Sequence, residues 1–261
     1  MTSTMVEAER WSRPDDPESQ EQETTPMKAV AHPHARPDLY RPGVGAVLVS
    51  TWRVGTPARQ RAAVEAVRAV WERREWPDPG LLSYTVHTGA DGDTLLHYSQ
   101  WTDEAVYEDF VRTHRDDRNA EIDAAVPGVE RVVLHRYAPP RPVAAPGTAD
   151  GPPGALSVVE ADFGGPGAGR REGPEEVVDA VLAGDPATRL APGRIGTHVH
   201  RSTDGTRVLV LTEWESERAL AGWRAEYAPP GGARRPAREL PGLTGVRVRW
   251  YTPALSLGAG T

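Results

Sequence analysis

Leu82-Ser83-Tyr84-Thr85-Val86-His87 leads through Asp91-Gly92 to Leu95-Leu96-His97-Tyr98-Ser99-Gln100-Trp101, and this stretch decides the fold because it recurs. Its second occurrence is Ile195-Gly196-Thr197-His198-Val199-His200, then Asp204-Gly205, then Val208-Leu209-Val210-Leu211-Thr212-Glu213-Trp214. His87 to Asp91 and His200 to Asp204 are both steps of four residues, and Asp to Trp is ten in each copy. Each copy closes on a Pro-Gly and a last apolar run, Val132 to Tyr137 and Val246 to Tyr251. A period near 113 residues is too long for a solenoid, so the chain reads as two similar units. Two related units on one chain can pair as a homodimer does, and only one need keep an active pocket.

Outward from this stretch, copy one opens with Ala46 to Trp52, an apolar, β-branched run typical of a strand. Thr56-Pro57 supplies an N-cap followed by proline at the first helical position. Ala63, Val64, Val67, Val70 and Trp71 then recur at helical spacing, with arginines and glutamates on the other face. Two strands joined by a turn at Gly89-Ala90-Asp91-Gly92 follow, then a helix from about Asp103 to His114 resuming to Ala125, then a strand from Val129 to Tyr137. Copy two repeats the order from Leu156, with a short helix opened by Pro174 that turns Val177, Val178, Val181 and Leu182 inward. The predicted fold class is α+β: two ferredoxin-like β-α-β-β-α-β repeats pairing into an intramolecular α+β barrel. The boundaries are a disordered polar tail over 1–40, a domain over 41–138, a proline-rich linker over 139–154, a second domain over 155–254 and a tail over 255–261.

The net charge of −7 argues against a nucleic-acid partner, and no apolar run reaches the length that spans a membrane. The N-terminus lacks the apolar core of a secretion signal, so the expected location is cytoplasmic. Without cysteine there is no disulfide, thiolate metal site or cysteine nucleophile. His32-Pro33-His34 is too sparse for a metal site. His198 and His200 share a strand face with no third ligand evident, so no metal is expected.

The run Trp101-Thr102-Asp103-Glu104-Ala105-Val106-Tyr107-Glu108-Asp109-Phe110 resembles the antibiotic biosynthesis monooxygenase family at the junction of its third strand and second helix. Trp214 to Trp223 resembles the same junction, so the likeness covers about 41–138 and 155–254. It implies the ferredoxin-like unit and, in the quinone-forming members, oxidation of polycyclic aromatic polyketides by molecular oxygen without metal, flavin or haem. Their pocket uses a Trp ending the third strand, a Tyr six residues on, an Asn four residues before the Trp and a later Arg. Trp101 and Tyr107 stand in the first two places, His97 in the third, and Arg112 or Arg118 are candidates for the fourth. Copy two offers Trp214, Leu220 and Val210, an apolar set that implies a structural role. Haem degraders of this fold need a helix His ten residues after a helix aromatic, and Ala120 stands ten after Phe110.

Spacing points to a pocket in copy one on its own account. Tyr107, Phe110, His114 and Arg118 fall on one helix face, and Ser83, Thr85 and His87, like His97, Ser99 and Trp101, share strand faces. Faces of this kind meeting the helix form an aromatic cavity with a few polar groups. The alternative is an ordinary core with amphipathic aromatics at its rim, and matched Trp101 and Trp214 suit that as well. The expected catalytic set is His97 as base, half poised at neutral pH, with Trp101 and Tyr107 holding the substrate and donating hydrogen bonds. Tyr84, His87, Phe110, His114 and Arg118 are the expected substrate-binding residues. The expected function is cofactor-independent monooxygenation of a polycyclic phenolic intermediate, with the aromatic substrate and O2 as partners and further homo-oligomerisation open. A polyketide cyclase or isomerase on the same fold, and a non-catalytic binder of aromatic metabolites, are the alternatives.

Overall fold

The structure, a computed structural model, describes residues 27–32, 38–142, 150–164, 174, 176, 178–179, 191–227 and 242–260. Its elements are β1 (Ala29–Ala31), β2 (Ala46–Arg53), α1 (Pro57–Arg73), β3 (Leu81–Gly89), β4 (Thr94–Trp101), α2 (Glu104–Phe110), a π-helical turn (Val111–Arg115), α3 (Asp116–Ala125) and β5 (Glu130–Tyr137). After β6 (Arg141–Pro142) come β7 (Ala155–Phe163), β8 (Arg194–Arg201), β9 (Arg207–Trp214), α4 (Glu217–Tyr227) and β10 (Leu243–Ala259). Between β7 and β8 the described residues Pro174, Glu176, Val178 and Asp179 are helical, and Val178 is buried. Val177, Val181 and Leu182, expected inward on that helix, lie outside the described residues, as do Pro33 and His34.

Local chemistry explains the first helix. Thr56 accepts a hydrogen bond from the Arg59 amide (3.2 Å) and Pro57 follows it, a cap that contributes about 1 kcal/mol. Ala63, Val64, Val67, Val70 and Trp71 are its buried stripe, the set that helical spacing predicts. The Asp91-Gly92 and Asp204-Gly205 turns also match. Gly92 and Gly205 adopt φ of 74° and 71°, and each aspartate accepts backbone amides from the residues just beyond.

The strands form one sheet in the order β5-β2-β4-β3-β10-β7-β9-β8-β6, with β1 on β10. Both halves are ferredoxin-like and antiparallel, and their registers coincide. Ala46 faces Trp101 as Ala155 faces Trp214, and the Gly45 and Gly154 amides donate to the Trp101 and Trp214 carbonyls, each at 2.9 Å. β10 joins the halves. It pairs with β7 from Leu243 to Tyr251, continues past the end expected at Tyr251, and pairs with β3 through Leu257. The expected barrel is not closed by a continuous ladder. Where β5 meets β8 there is an isolated Tyr137–Ser202 bridge, two backbone hydrogen bonds (Ala138 to Arg201, Thr203 to Arg136) and the two-residue β6 pairing with β8. Within the stretch read as tail, β1 pairs with β10, and Leu39 is buried.

Gly45 and Gly154 occupy matching tight approaches. A Cβ at Gly45 would collide with the Thr102 carbonyl, and one at Gly154 would sit 2.6 Å from the Glu215 carbonyl oxygen. Both atoms are backbone and cannot swing aside. Gly45→Ala and Gly154→Ala should each destabilise the fold by about 1–3 kcal/mol, read as a drop in thermal midpoint. Unchanged midpoints would refute this close approach.

Candidate active site

Antiparallel pairing sets which side chains share a face. Ser50 faces His97, Val86 faces His97 and Tyr84 faces Ser99, so Ser50, Tyr84, His97, Ser99 and Trp101 all point to the helix side of the sheet. There, under α1, α2 and α3, lies a cavity of about 320 Å³. Its floor carries Ser50, Trp52, Tyr84, His97 and Trp101, its roof Trp71, Tyr107, Phe110 and Arg118, and Val132 and Leu134 of β5 form an apolar rim. The expected His97, Trp101, Tyr107, Tyr84, Phe110 and Arg118 are therefore brought together.

His87 is not. It faces Leu96 and Pro253 on the opposite side of the sheet, because β3 alternates and Ser83, Thr85 and His87 point away from the helices. The expectation that these residues join the His97 face is wrong by one step of the pleat. His114 is also excluded. The π-helical turn at Val111–Arg115 inserts an extra residue into the helical repeat, so Arg115 reaches the cavity while His114 is exposed. The His114 ring keeps a tilted contact with Phe110, ring centres 6.2 Å apart, and the His114 carbonyl accepts from Arg118 Nη1 (3.3 Å).

His97 is the centre of the floor. Its Nδ1 shares a hydrogen bond with the Tyr84 hydroxyl (2.6 Å), and its ring lies 4.0 Å from that of Trp52. Its Nε2 is buried with no hydrogen-bond partner among the described residues. Burial, then the charges on His87 and Arg131, push its pKa down to about 3. At neutral pH it is an uncharged imidazole, so the expectation of a half-protonated base is corrected by burial. Burial likewise raises the Tyr84 phenol well above its ordinary value, so it stays protonated.

Trp101 packs edge-on against Tyr107 (5.3 Å) and against Phe110 (5.1 Å), but its indole N–H donates to Ser99 Oγ at 3.0 Å. The expected hydrogen bond from Trp101 to a substrate is thus already committed within the protein. Trp214 does the same with Ser157 at 3.1 Å. Arg118 is buried, donates to the Glu75 carbonyl (2.5 Å) and lies 4.9 Å above Trp71 and 5.2 Å above Phe110. Burial lowers its pKa to about 10, which leaves it charged at neutral pH. Arg112 pairs with Asp109 on the exposed surface and does not line the cavity.

Sequence reasoning missed Ser50, Trp52, Trp71, Arg115, Asn119 and Arg131. Trp52 and Trp71 were legible as inward positions of their elements, but not as neighbours of His97. Arg131 was hidden by a bulge. Between the Thr51–Val133 and Trp52–Arg131 pairs β5 carries one extra residue, which moves Arg131 to the helix side. Its guanidinium sits 4.6 Å over Trp52 and Nη1 donates to both Asp123 oxygens at 3.0 Å, while Nε and Nη2 are buried without partners. Three guanidiniums therefore surround the cavity, and no described lining residue is a carboxylate.

The matching place in the second half is apolar. Leu220 and Trp214 belong to one buried cluster with Ala155, and Val210 stands opposite Val159 and Val199. On the opposite face of that half, His198 bonds Glu213 through Nε2 (2.8 Å) and Tyr40 through Nδ1 (2.5 Å), and His200 Nδ1 contacts the Ala138 carbonyl (3.2 Å). Among the described residues no three His, Cys, Asp or Glu side chains converge, and no helix is long and apolar enough to cross a membrane.

Three deeply buried histidines set the acid limit of the fold. His87 and His200 are pushed down to about 4 and His97 to about 3, chiefly by burial, from an ordinary value of 6.5. Below pH 6.5 the unfolded chain takes protons that the folded chain refuses, so stability is full above that pH and lost as pH falls. Each histidine removes up to about 1.4 kcal/mol per pH unit in that window. The thermal midpoint should fall steadily from pH 7 to pH 4.5, and His200→Phe should flatten the slope; a midpoint constant over that range would contradict the burial.

Comparison with known proteins places this geometry. Residues 169–227 match the family model described as antibiotic biosynthesis monooxygenase, in the half opposite to the cavity. An anthrone oxidase-like protein aligns over 89% of this chain and 97% of its own with a TM-score of 0.61 at 16% identity. A monooxygenase-like structure from Fusobacterium nucleatum aligns over 85% of this chain and 98% of its own, with a TM-score of 0.52 at 10% identity. At those identities the likeness establishes the fold. No curated protein sequence matches the chain. Residues 169–227 of this ferredoxin-like chain are thus similar to the antibiotic biosynthesis monooxygenase family, and the strand–Trp–helix junction they contain recurs in the same register in the first half.

Proposed function

We propose that the first half is a monooxygenase site that oxidises a phenolic, polycyclic aromatic compound with molecular oxygen, without a cofactor, and that the second half completes the sheet as its structural partner. The family match supports a monooxygenase-type activity. The observation that carries the finer reading is the unpartnered His97 Nε2 in the floor of an aromatic cavity ringed by Arg115, Arg118 and Arg131.

A flat phenol occupies the cavity against Trp52 and His97 on the floor and Trp71 on the roof, beside the packed Trp101, Tyr107 and Phe110 rings. With Nδ1–H donating to Tyr84, Nε2 is the free lone pair that accepts the phenolic proton. The three guanidiniums favour the phenolate and the anions that follow it. The phenolate passes one electron to O2, and superoxide recombines with the ring radical at carbon to give a peroxide. Loss of water then yields the quinone. The balance is one phenol plus one O2 giving one quinone and one water, so no external reductant is required. Arg131, whose Nε and Nη2 have no partner among the described residues, is the donor best placed to hold the oxyanion.

Oxygen uptake on an anthrone-type phenol, set against a spontaneous-oxidation blank, tests this. Wild-type protein should exceed the blank and release a quinone. His97→Gln should lower the rate by roughly 10²–10⁴-fold, and Tyr84→Phe and Tyr107→Phe by less, with the fold intact. Uptake no faster than the blank, or wild-type rates in His97→Gln, would overturn the proposal.

A further inference from the structure

A second and larger cavity, of about 440 Å³, lies on the other face of the sheet at the junction of the two halves. It exists because β10 changes partners. β10 leaves β7 after Tyr251 and meets β1 only at Leu257, so the bulged stretch Thr252–Ser256 is covered on one edge by β3 and opens on the other. That stretch forms one wall, Pro152–Gly154 another, and Leu39 with residues of β3, β4, β7 and β9 the remainder. Neither half alone encloses it.

Two polar side chains in these walls lack partners. His87 is 6% exposed and Tyr98 1% exposed, and neither His87 Nδ1 nor Tyr98 Oη has a hydrogen-bond partner among the described residues. Buried polar atoms are nearly always satisfied, so two orphans on side chains that line one void point to a partner that the described residues do not supply. Both groups are uncharged at neutral pH, since burial pushes His87 down to about 4 and Tyr98 upward. Leu39, Leu156, Leu211 and Leu255 supply apolar contact, and the described lining contains Glu213 and Glu215 but no arginine or lysine. The charge preference is thus opposite to that of the first cavity. The volume falls within the range of small-molecule pockets and far exceeds one water, about 30 Å³.

We infer that this junction cavity is a second binding site, for an uncharged alcohol or phenol whose hydroxyl bridges His87 Nδ1 and Tyr98 Oη while its carbon skeleton packs on the leucines. A hydroxyl donates to one neutral partner and accepts from the other, which neither an anion nor a hydrocarbon does. The inference stands apart from the oxidation proposed for the first cavity.

The two cavities are separable by probe. Trp52, Trp71 and Trp101 line the first, and no described tryptophan lines the second. Titration of the full chain with 2-naphthol, uncharged at pH 7, is followed by calorimetry for total sites and by tryptophan fluorescence for the first cavity. Two sites per chain are expected. Tyr98→Phe, which deletes one unbonded oxygen, should weaken one site by about 3- to 10-fold with the fluorescence curve unchanged. Ala254→Phe, on the exposed bulge at the rim, should abolish that site and keeps the test open if Tyr98→Phe fails to fold. A calorimetric count equal to the fluorescence count, meaning a cavity that holds only water, would overturn the inference. So would a second site indifferent to both substitutions.

Discussion

Everything in this molecule hangs on the run of β10 from one half into the other. Its first nine residues belong to the second half's ladder with β7, and its continuation supplies β3 of the first half with an antiparallel neighbour. An isolated ferredoxin-like unit leaves the β3 edge unpaired, with a row of unsatisfied amides and carbonyls that invites another chain. Here the same polypeptide supplies the missing partner. The register then holds Tyr84, Ser99 and His97 on the helix side, and Thr85, Tyr98 and His87 on the junction side.

Two single-residue insertions tune the first cavity. The bulge in β5 carries Arg131 over Trp52, and the π-helical turn after Phe110 carries Arg115 inward in place of His114. Each adds a guanidinium to a wall made otherwise of aromatic rings. The cationic lining and the desolvation act together on His97, both favouring its neutral form. The result is a neutral imidazole with one nitrogen held by Tyr84 and the other buried without a partner among the described residues.

The halves diverge where chemistry concentrates, while their registers remain alike. Trp101 and Trp214 each donate to a serine and face an alanine, which marks them as packing elements of the fold. Around that shared frame His97 and Tyr107 give way to Val210 and Leu220. The family model matches the apolar half, consistent with a motif that reports the strand–Trp–helix junction more than the site.

The sequence by itself determined the repeat, the β-α-β-β-α-β order, the capped first helix with its buried stripe, the Asp-Gly turns and six of the eight expected pocket residues. These are local properties, written in periods of two and 3.6 and in turn residues whose conformations are intrinsic. Tertiary structure alone decided the rest. Which pleat of β3 meets the helices excluded His87, because strand alternation specifies two faces without saying which one is covered. One extra residue in a helix and one in a strand exchanged His114 for Arg115 and brought in Arg131, because an insertion of one residue reverses or rotates every side chain beyond it. The protonation state of His97 was likewise unreadable from sequence, since it follows from burial that only the packed α/β layers impose.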